Sequence, residues 1–227
     1  MDSITDLLAD VPIFSDLPVE TMEKIAKIGN LKKYPKDSII LLEDEVGSAL
    51  FVILKGRVKV SRNSSDGKEV ILTILSESDF FGEMAILDGL TRSASVISME
   101  DSEVFLIHRS DFLLLLRQHP EISIALLQEL TRRLRISDIK IKALSLKDAE
   151  GKVATVLLQI ADDVGRIKSG IVEIEKLPVQ QDLANLAGTS RETISRTIHN
   201  FAKKGLIELE GSKLRILNYE KFKELYY

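Results

Sequence analysis

The stretch 80-FFGEMAILDGLTRSAS-95 places an acid, a guanidinium and a hydroxyl in an otherwise apolar segment. Glu83 follows Gly82 directly, and Arg92 and Ser93 come shortly after. A glycine lets the backbone approach a ligand, an arginine forks onto phosphate oxygens, and a carboxylate accepts a hydrogen bond from a sugar hydroxyl. These groups suit a sugar phosphate or a nucleotide. An ion pair between Glu83 and Arg92 that pins a surface loop explains the spacing equally well.

Short β-rich runs surround this stretch between Leu31 and His108. They are SIILLE (38–43), ALFVILKG (49–56), RVKVSR (57–62), EVILTIL (69–75), SASVIS (93–98) and EVFLIH (103–108). Glycines separate several of them, as tight turns between antiparallel strands require. The pattern predicts a small antiparallel barrel or jelly roll, with two short helices before it at Ile4–Ala9 and Val19–Ile28.

A long helix is predicted after Pro120, because no further proline or glycine occurs through Leu146. Its apolar residues recur at spacings that sum to seven: Leu127, Leu130, Leu134, Ile141 and Leu144. Ser137 occupies the place of the missing apolar residue in this row. So narrow a stripe favours a parallel dimer helix. The alternative is a helix that packs on its own barrel and tolerates Ser137.

The C-terminal segment 178-PVQQDLANLAGTSRETISRTIHNFAKKGLIEL-209 predicts two helices joined by a sharp turn at Gly188. The small Ala184 and the buried Ile194 stand where a helix-turn-helix needs them for its helices to cross closely. Gly151 separates this module from the long helix, and a helix over 152–164 leads into it. The runs 206-LIEL and 213-KLRIL predict a two-stranded wing.

The second helix of this module has two faces. Ile194, Ile198 and Phe201 share one face, whereas the other carries polar groups: Glu192, Ser195, Arg196 and His199, with Arg191 at its edge. Guanidinium groups bond guanine edges, and a carboxylate accepts from cytosine, so this face suits DNA reading. A well-capped exposed helix is the alternative, because Thr189 with Glu192 fits a capping box and Glu192 with Arg196 an ion pair.

The composition of the 227 residues is that of a globular protein, with 44% hydrophobic residues and a net charge of −4. The charge is uneven: 13 Lys and Arg face 20 Asp and Glu in residues 1–118, but 12 face 10 in 151–227. Because the chain has no cysteine, it has no disulfide, thiolate metal site or cysteine nucleophile.

No apolar run is long enough for a membrane span, and the acidic N-terminus is unlike a secretory signal, so a cytoplasmic protein without a membrane partner is expected. The three histidines (His108, His119 and His199) are too scattered for a metal site, and no metal or other cofactor is expected. Hydrolase and P-loop motifs are missing from the sequence, which argues against an enzyme.

Two segments resemble a known family. FGEMAILDGLTRSASV (81–96) resembles the phosphate-binding cassette of cyclic-nucleotide-binding domains, and TSRETISR (189–196) resembles the recognition helix of catabolite activator proteins. The resemblance covers nearly the whole chain in the same order, so the chain is identified as a member of the CRP/FNR family of bacterial transcription regulators. Lacking cysteines, it fits the cyclic-AMP receptor branch better than the FNR branch.

The resemblance implies an α+β fold with three parts. They are a jelly-roll cyclic-nucleotide-binding domain (1–118), a dimerisation helix (119–147) and a winged helix-turn-helix domain (148–227). It further implies a homodimer that binds double-stranded DNA at palindromic TGTGA-like sites, contacts RNA polymerase and responds to cyclic AMP, with cyclic GMP as the second choice. A regulator that binds DNA constitutively, or that responds to another small effector, is the alternative.

The resemblance also implies roles for particular residues. The cyclic-nucleotide site would comprise Gly82, Glu83, Met84, Ala85, Arg92, Ser93, Arg133, Ser137 and Asp138. The DNA contacts would comprise Gln180, Gln181, Ser190, Arg191, Glu192, Ser195, Arg196, His199 and Lys203. The seam residues of the long helix would form the dimer interface.

Four positions depart from the family pattern. Ser137 stands where threonine is usual and keeps the hydroxyl, whereas Asp138 puts an acid where a neutral hydroxyl approaches the base. Val179 and Gln180 replace a threonine and an arginine associated with phosphate contacts. The adenine contact and the anchoring on the DNA backbone are therefore expected to differ from the family's.

Overall fold

The computed structural model describes residues 3–226 and divides the chain into two compact units, Met1–Leu134 and Arg135–Tyr227. The first unit begins with the helices α1 (Ile4–Ala9) and α2 (Val19–Ile28), as predicted. No helix within the described range is long and apolar enough to cross a membrane.

Eight strands follow in the first unit and form two four-stranded antiparallel sheets. They are β1 (Asn30–Tyr34), β2 (Ile39–Leu41), β3 (Ala49–Lys55), β4 (Val58–Asn63), β5 (Glu69–Leu75), β6 (Phe80–Phe81), β7 (Ser95–Ser98) and β8 (Ser102–His108). One sheet has the order β1-β8-β3-β6 and the other β2-β7-β4-β5. The predicted jelly-roll type of fold is thus confirmed.

Strand β3 explains how this unit builds its core. Its residues from Ala49 to Leu54 are all buried, because one face lies between the sheets and the other is covered by helices. A strand covered on both faces reads as a continuous apolar run rather than an alternating one, as ALFVIL does. Phe51 stacks on Phe81 of the neighbouring strand, with ring centroids 5.1 Å apart.

Three helices complete the first unit. The short α3 (Glu83–Asp88) connects β6 to β7, and α4 (Arg109–Gln118) follows β8. Helix α5 (Pro120–Leu146) has the predicted length, and the boundary between the two units falls within it. Its first turns pack on the helical side of the core through Ile122 and Leu126.

The second unit holds the helix-turn-helix. Its elements after α5 are α6 (Ala149–Val164), β9 (Arg166–Lys168), β10 (Ile171–Ile174), α7 (Gln180–Ala187), α8 (Arg191–Lys203), β11 (Ile207–Glu210), β12 (Lys213–Ile216) and α9 (Tyr219–Tyr226). Residues of α6, α7, α8, α9 and the sheet form one continuous core. Phe201 of α8 and Phe222 of α9 meet edge to face within it.

The structure corrects two details of this unit. The wing is a four-stranded sheet of order β11-β12-β10-β9, so the predicted pair gains two strands. Gly151 was expected to precede the helix but lies in the first turn of α6. Its amide donates to Asp148 Oδ1 at 2.8 Å. The amides of a first helical turn lack intrahelical partners, so this cap compensates for the low helix propensity of glycine.

Candidate functional site

Gly82 shapes the loop of Arg92, which comprises residues 82–93 and includes the short helix α3. Its φ of 82° lies in the left-handed region, which glycine adopts without steric cost. A Cβ at this position would also lie 2.7 Å from Arg92 Nη1. Any side chain here would therefore strain the backbone and displace the guanidinium, so the close approach of Arg92 depends on the glycine.

Arg92 is buried at the centre of this loop, with 5% of its surface exposed. Its Nη1 donates to the carbonyl of Gly82 at 2.6 Å, and its Nη2 donates to the carbonyl of Ala49 at 2.9 Å. Burial lowers the pKa of Arg92, while the nearby carboxylates of Glu83 and Glu45 oppose that shift. The backbone thus fixes the guanidinium, and the alternative of a loop pinned by a Glu83–Arg92 ion pair is not what the structure shows.

Glu83 begins α3 and is also buried, with 6% of its surface exposed. Burial raises the pKa of its carboxyl, and the charges of Arg133 and Arg92 act in the opposite direction. Its Oε1 lies 3.5 Å from Arg133 Nη1. The site therefore combines a buried acid and a buried guanidinium on the same short loop.

The remaining loop residues have different exposures. Met84 and Ser93 are exposed, and the Ser93 hydroxyl donates to the Met84 sulfur at 3.5 Å. Ala85 is buried, and its Cβ would lie 2.4 Å from a Cβ at Gly47. Ser93 thus presents a hydroxyl beside Arg92, as a phosphate contact requires.

Arg133 joins this loop from α5. Its Nη2 donates to the carbonyl of Phe80 at 2.8 Å, and its guanidinium carbon lies 4.4 Å from the centre of the Phe80 ring. Its Nε donates to Glu129 Oε1 at 2.8 Å. Sequence reasoning missed Glu129, although the i,i+4 spacing of Glu129 and Arg133 is a signal that could have found it.

The first unit therefore gathers Gly82, Glu83, Met84, Ala85, Arg92, Ser93 and Arg133 around one loop. Ser137 and Asp138 lie on the part of α5 that belongs to the second unit, and both are exposed. Their contacts with a ligand stay predictions.

The seam of α5 is largely exposed. Leu127, Leu134 and Ile141 each expose more than half of their surface, at 64%, 63% and 62%. Leu130 differs, because it is partly buried against the core of the first unit. Leu144 is 44% exposed, and its Cδ2 would lie 3.0 Å from a Cβ at Gly188. A row of exposed large apolar residues along one helix needs a covering surface.

The helix-turn-helix has the predicted turn and the predicted buried face. Gly188 ends α7 with a φ of 58°, and Ile194, Ile198 and Phe201 are buried. The N-cap of α8 is Ser190, whose hydroxyl accepts from the amide of Thr193. The expectation of a capping box from Thr189 is therefore wrong by one residue, because the helix begins at Arg191.

The predicted DNA-reading residues lie on the outer surface of this unit. Exposed side chains are those of Gln181, Ser190, Arg191, Glu192, Ser195, Arg196, His199 and Lys203, whereas Gln180 is half-buried. The alternative of a helix stabilised by a Glu192–Arg196 ion pair is not supported, since within residues 3–226 no such pair forms. Hydrogen bonds to its own amide and to Ser190 lower the pKa of Glu192.

The histidines do not converge. His119 Nδ1 lies 3.1 Å from Glu121 Oε1 at the start of α5, while His108 and His199 lie on other elements. Within the described residues, no group of three or more histidine, cysteine, aspartate or glutamate side chains is arranged to hold a metal ion.

Comparison with known proteins finds one family model within each of the two units. Residues 31–119 match the model of the cyclic nucleotide-binding domain, and residues 151–225 match the model of the Crp-like helix-turn-helix domain. The first range contains the loop of Arg92, and the second contains both helices of the turn.

Three similar proteins match along most of the chain. A Mycobacterium tuberculosis protein named CRP-like cAMP-activated global transcriptional regulator is 32% identical over 95% of this chain and 96% of its own. A Thermus thermophilus protein named cyclic AMP receptor protein is 34% identical over 87% of this chain and 88% of its own. The solved structure of the Thermus thermophilus catabolite activator protein covers 95% of this chain and 98% of its own, at 31% identity and a TM-score of 0.54.

Proposed function

Because this chain belongs to the CRP family of DNA-binding transcription regulators, which are not enzymes, we propose that it is a homodimer that cyclic AMP switches between weak and strong DNA binding. Its operator is a palindrome of TGTGA-like half-sites. The protein acts in the cytoplasm, where it contacts RNA polymerase. Cyclic GMP is the second choice of ligand. The observation that carries the proposal is the buried Arg92 guanidinium beside the buried Glu83 carboxylate.

The loop of Arg92 offers the chemistry that a cyclic phosphate and its sugar need. Arg92 keeps donors beyond the two that bond Gly82 and Ala49, since a guanidinium has five N–H groups. Those donors would fork onto the phosphate, and Ser93 would add its hydroxyl. Glu83 would accept from the 2′-hydroxyl, which is the free sugar hydroxyl of a 3′,5′-cyclic nucleotide.

The names of two relatives, which include cyclic AMP, support the choice of this ligand. Asp138 places a carboxylate where the family presents a neutral hydroxyl. Calorimetric titration with cyclic AMP and with cyclic GMP tests the choice directly. We expect cyclic AMP to bind with a micromolar Kd, about −8 kcal/mol. Absence of heat with both nucleotides would contradict the proposed ligand and favour a constitutive regulator or another effector.

We expect the exposed seam of α5 to hold the dimer together. Leu134→Glu would place two carboxylates at a buried position of a parallel helix pair, so the dimer Kd should rise at least about tenfold. Sedimentation equilibrium measures this, with Gln128→Glu as the control because it adds the same charge to an exposed position outside the seam. Wild-type protein that sediments as a monomer at micromolar concentration, with or without ligand, would rule out the dimer.

Ser137 should report ligand binding to the dimer partner. Ser137→Ala should weaken cyclic AMP binding by only about 1 kcal/mol, the value of one hydrogen bond. The gain in DNA affinity that the ligand confers should fall much more, because a ligand shifts an equilibrium only through contacts that differ between the two states.

Fluorescence anisotropy with a labelled operator, with and without saturating cyclic AMP, measures that gain. Ser145→Ala is the matched control, since it removes an exposed hydroxyl from the same helix at a position beside the seam rather than in it. An unchanged gain in Ser137→Ala would mean that the signal leaves the pocket by another route.

A further inference from the structure

Glu129 holds two arginines with one carboxylate. Arg132 donates to it from Nε at 2.8 Å and from a terminal nitrogen at 2.9 Å, and Arg133 donates from Nε at 2.8 Å. The Glu129 side chain is 10% exposed. Burial opposes its ionisation, but the hydrogen bonds and charges of the two arginines outweigh burial and keep the pKa of Glu129 below its usual range.

Arg133 therefore lies between two carboxylates and is closer to one of them than to the other. It contacts Glu129 at 2.8 Å but Glu83 at 3.5 Å, although Glu83 is buried and would gain from a close cation. The bond to the Phe80 carbonyl and the contact with the Phe80 ring hold the guanidinium within reach of both carboxylates, so the bond to Glu129 decides which of them it favours. Charge-assisted hydrogen bonds are about 2.7–2.9 Å long, so Arg133 makes such a bond with Glu129 but only a longer ionic contact with Glu83.

We propose that Glu129 is a positioning residue that draws Arg133 away from Glu83 and so keeps the Glu83 carboxylate open to a sugar hydroxyl. Without Glu129, Arg133 would close on Glu83, and the hydroxyl would have to compete with a buried ion pair. Glu129 thereby sets how strongly the pocket prefers a ribose over a 2′-deoxyribose ligand. This inference rests on the proposed cyclic-nucleotide function.

The test compares cyclic AMP with 2′-deoxy cyclic AMP by calorimetry in wild type and Glu129→Gln, which removes the charge and keeps the shape. A hydrogen bond to a charged group makes wild type prefer the ribose ligand by about tenfold. In Glu129→Gln that preference should fall to about threefold or less, because affinity for cyclic AMP drops while affinity for the deoxy ligand stays nearly constant.

Two further variants separate positioning from a structural role. Arg132→Ala removes the other ion pair of the same carboxylate on the exposed side of the helix, and it should keep the preference of wild type. In an Arg133→Ala background, Glu129→Gln should have no further effect on the preference, since its route to Glu83 is gone. Should Glu129→Gln fail to fold, Glu129→Asp, which withdraws the charge from Arg133, takes its place.

An unchanged preference in Glu129→Gln overturns the inference, as does an equal loss of affinity for both ligands or an effect that persists in the Arg133→Ala background. A gain in affinity for both ligands would also overturn it, because Glu129 would then act by repelling the phosphate. Failure of wild type to bind cyclic AMP at all would instead refute the proposed function, so the two failures are distinct.

Discussion

Replacing Arg92 with alanine should raise the Kd for cyclic AMP at least about 30-fold, a loss of about 2 kcal/mol or more. The cyclic phosphate would lose its charged partner in a pocket where water screens poorly. Arg133 is held by Glu129 and by the Phe80 carbonyl, so we expect it to compensate only in part. Calorimetric titration of both proteins measures the change.

Loss of fold must be separated from loss of ligand in this experiment. Without Arg92 the carbonyls of Gly82 and Ala49 lose their donor, which costs about 1–3 kcal/mol for each buried group that stays unpaired. Arg92→Lys keeps the positive charge but loses the paired N–H donors of the guanidinium. It should therefore bind cyclic AMP more weakly than wild type and more tightly than Arg92→Ala.

Arg62→Ala is the control, since Arg62 is an exposed arginine whose ion pair with Glu43 lies on the surface. Thermal unfolding of each variant shows whether it folds. Arg92→Ala protein that is folded and binds cyclic AMP as wild type does would remove the proposed phosphate site.

The parts of the fold that sequence predicted are those with strong periodicity or clear breaks. The run EVILTIL became β5 (Glu69–Leu75), and the stretch without proline or glycine became α5. Helix α4 was missed because LLLL has no helical period of its own. Strands β9 and β10 are short and partly charged, and they are stabilised by the pairing of β10 with β12 and of β9 with β10, which the local sequence does not reveal.

The motif singled out Arg92 and Glu83, and both side chains are buried in the same loop, while their contact with a ligand stays a prediction. Spacing left an ion pair between them open as the alternative, whereas folding gives Arg92 two backbone carbonyls. Glu129 was missed because its two arginine partners are close to it in sequence. Its proposed role depends on the contacts of Arg133 with Phe80 and Glu83, which are distant in sequence. Long-range contacts of this kind depend on tertiary packing, which periodicity does not encode.

Alanine at Arg191, Glu192 or Arg196 should each weaken operator binding by about 1–3 kcal/mol and relax the preference at one base pair of each half-site. These three side chains are exposed at the start of α8, where a recognition helix meets base edges in the major groove. Because no ion pair between Glu192 and Arg196 forms within the described residues, Arg196 need not give up such a pair before it reads DNA, whereas Glu192 must exchange its hydrogen bonds with its own amide and with Ser190.

Lys203→Ala is the matched control on the same helix. Lys203 is an exposed cation at the last turn of α8, where a phosphate contact is expected rather than a base contact. It should therefore weaken binding to all sequences alike and reduce the salt dependence, while the order of preferred bases stays the same. Anisotropy against operators with single base-pair changes separates the two effects. A uniform loss in Arg196→Ala, with the same base preferences as wild type, would assign Arg196 to the DNA backbone and leave the sequence to be read by other residues of α8.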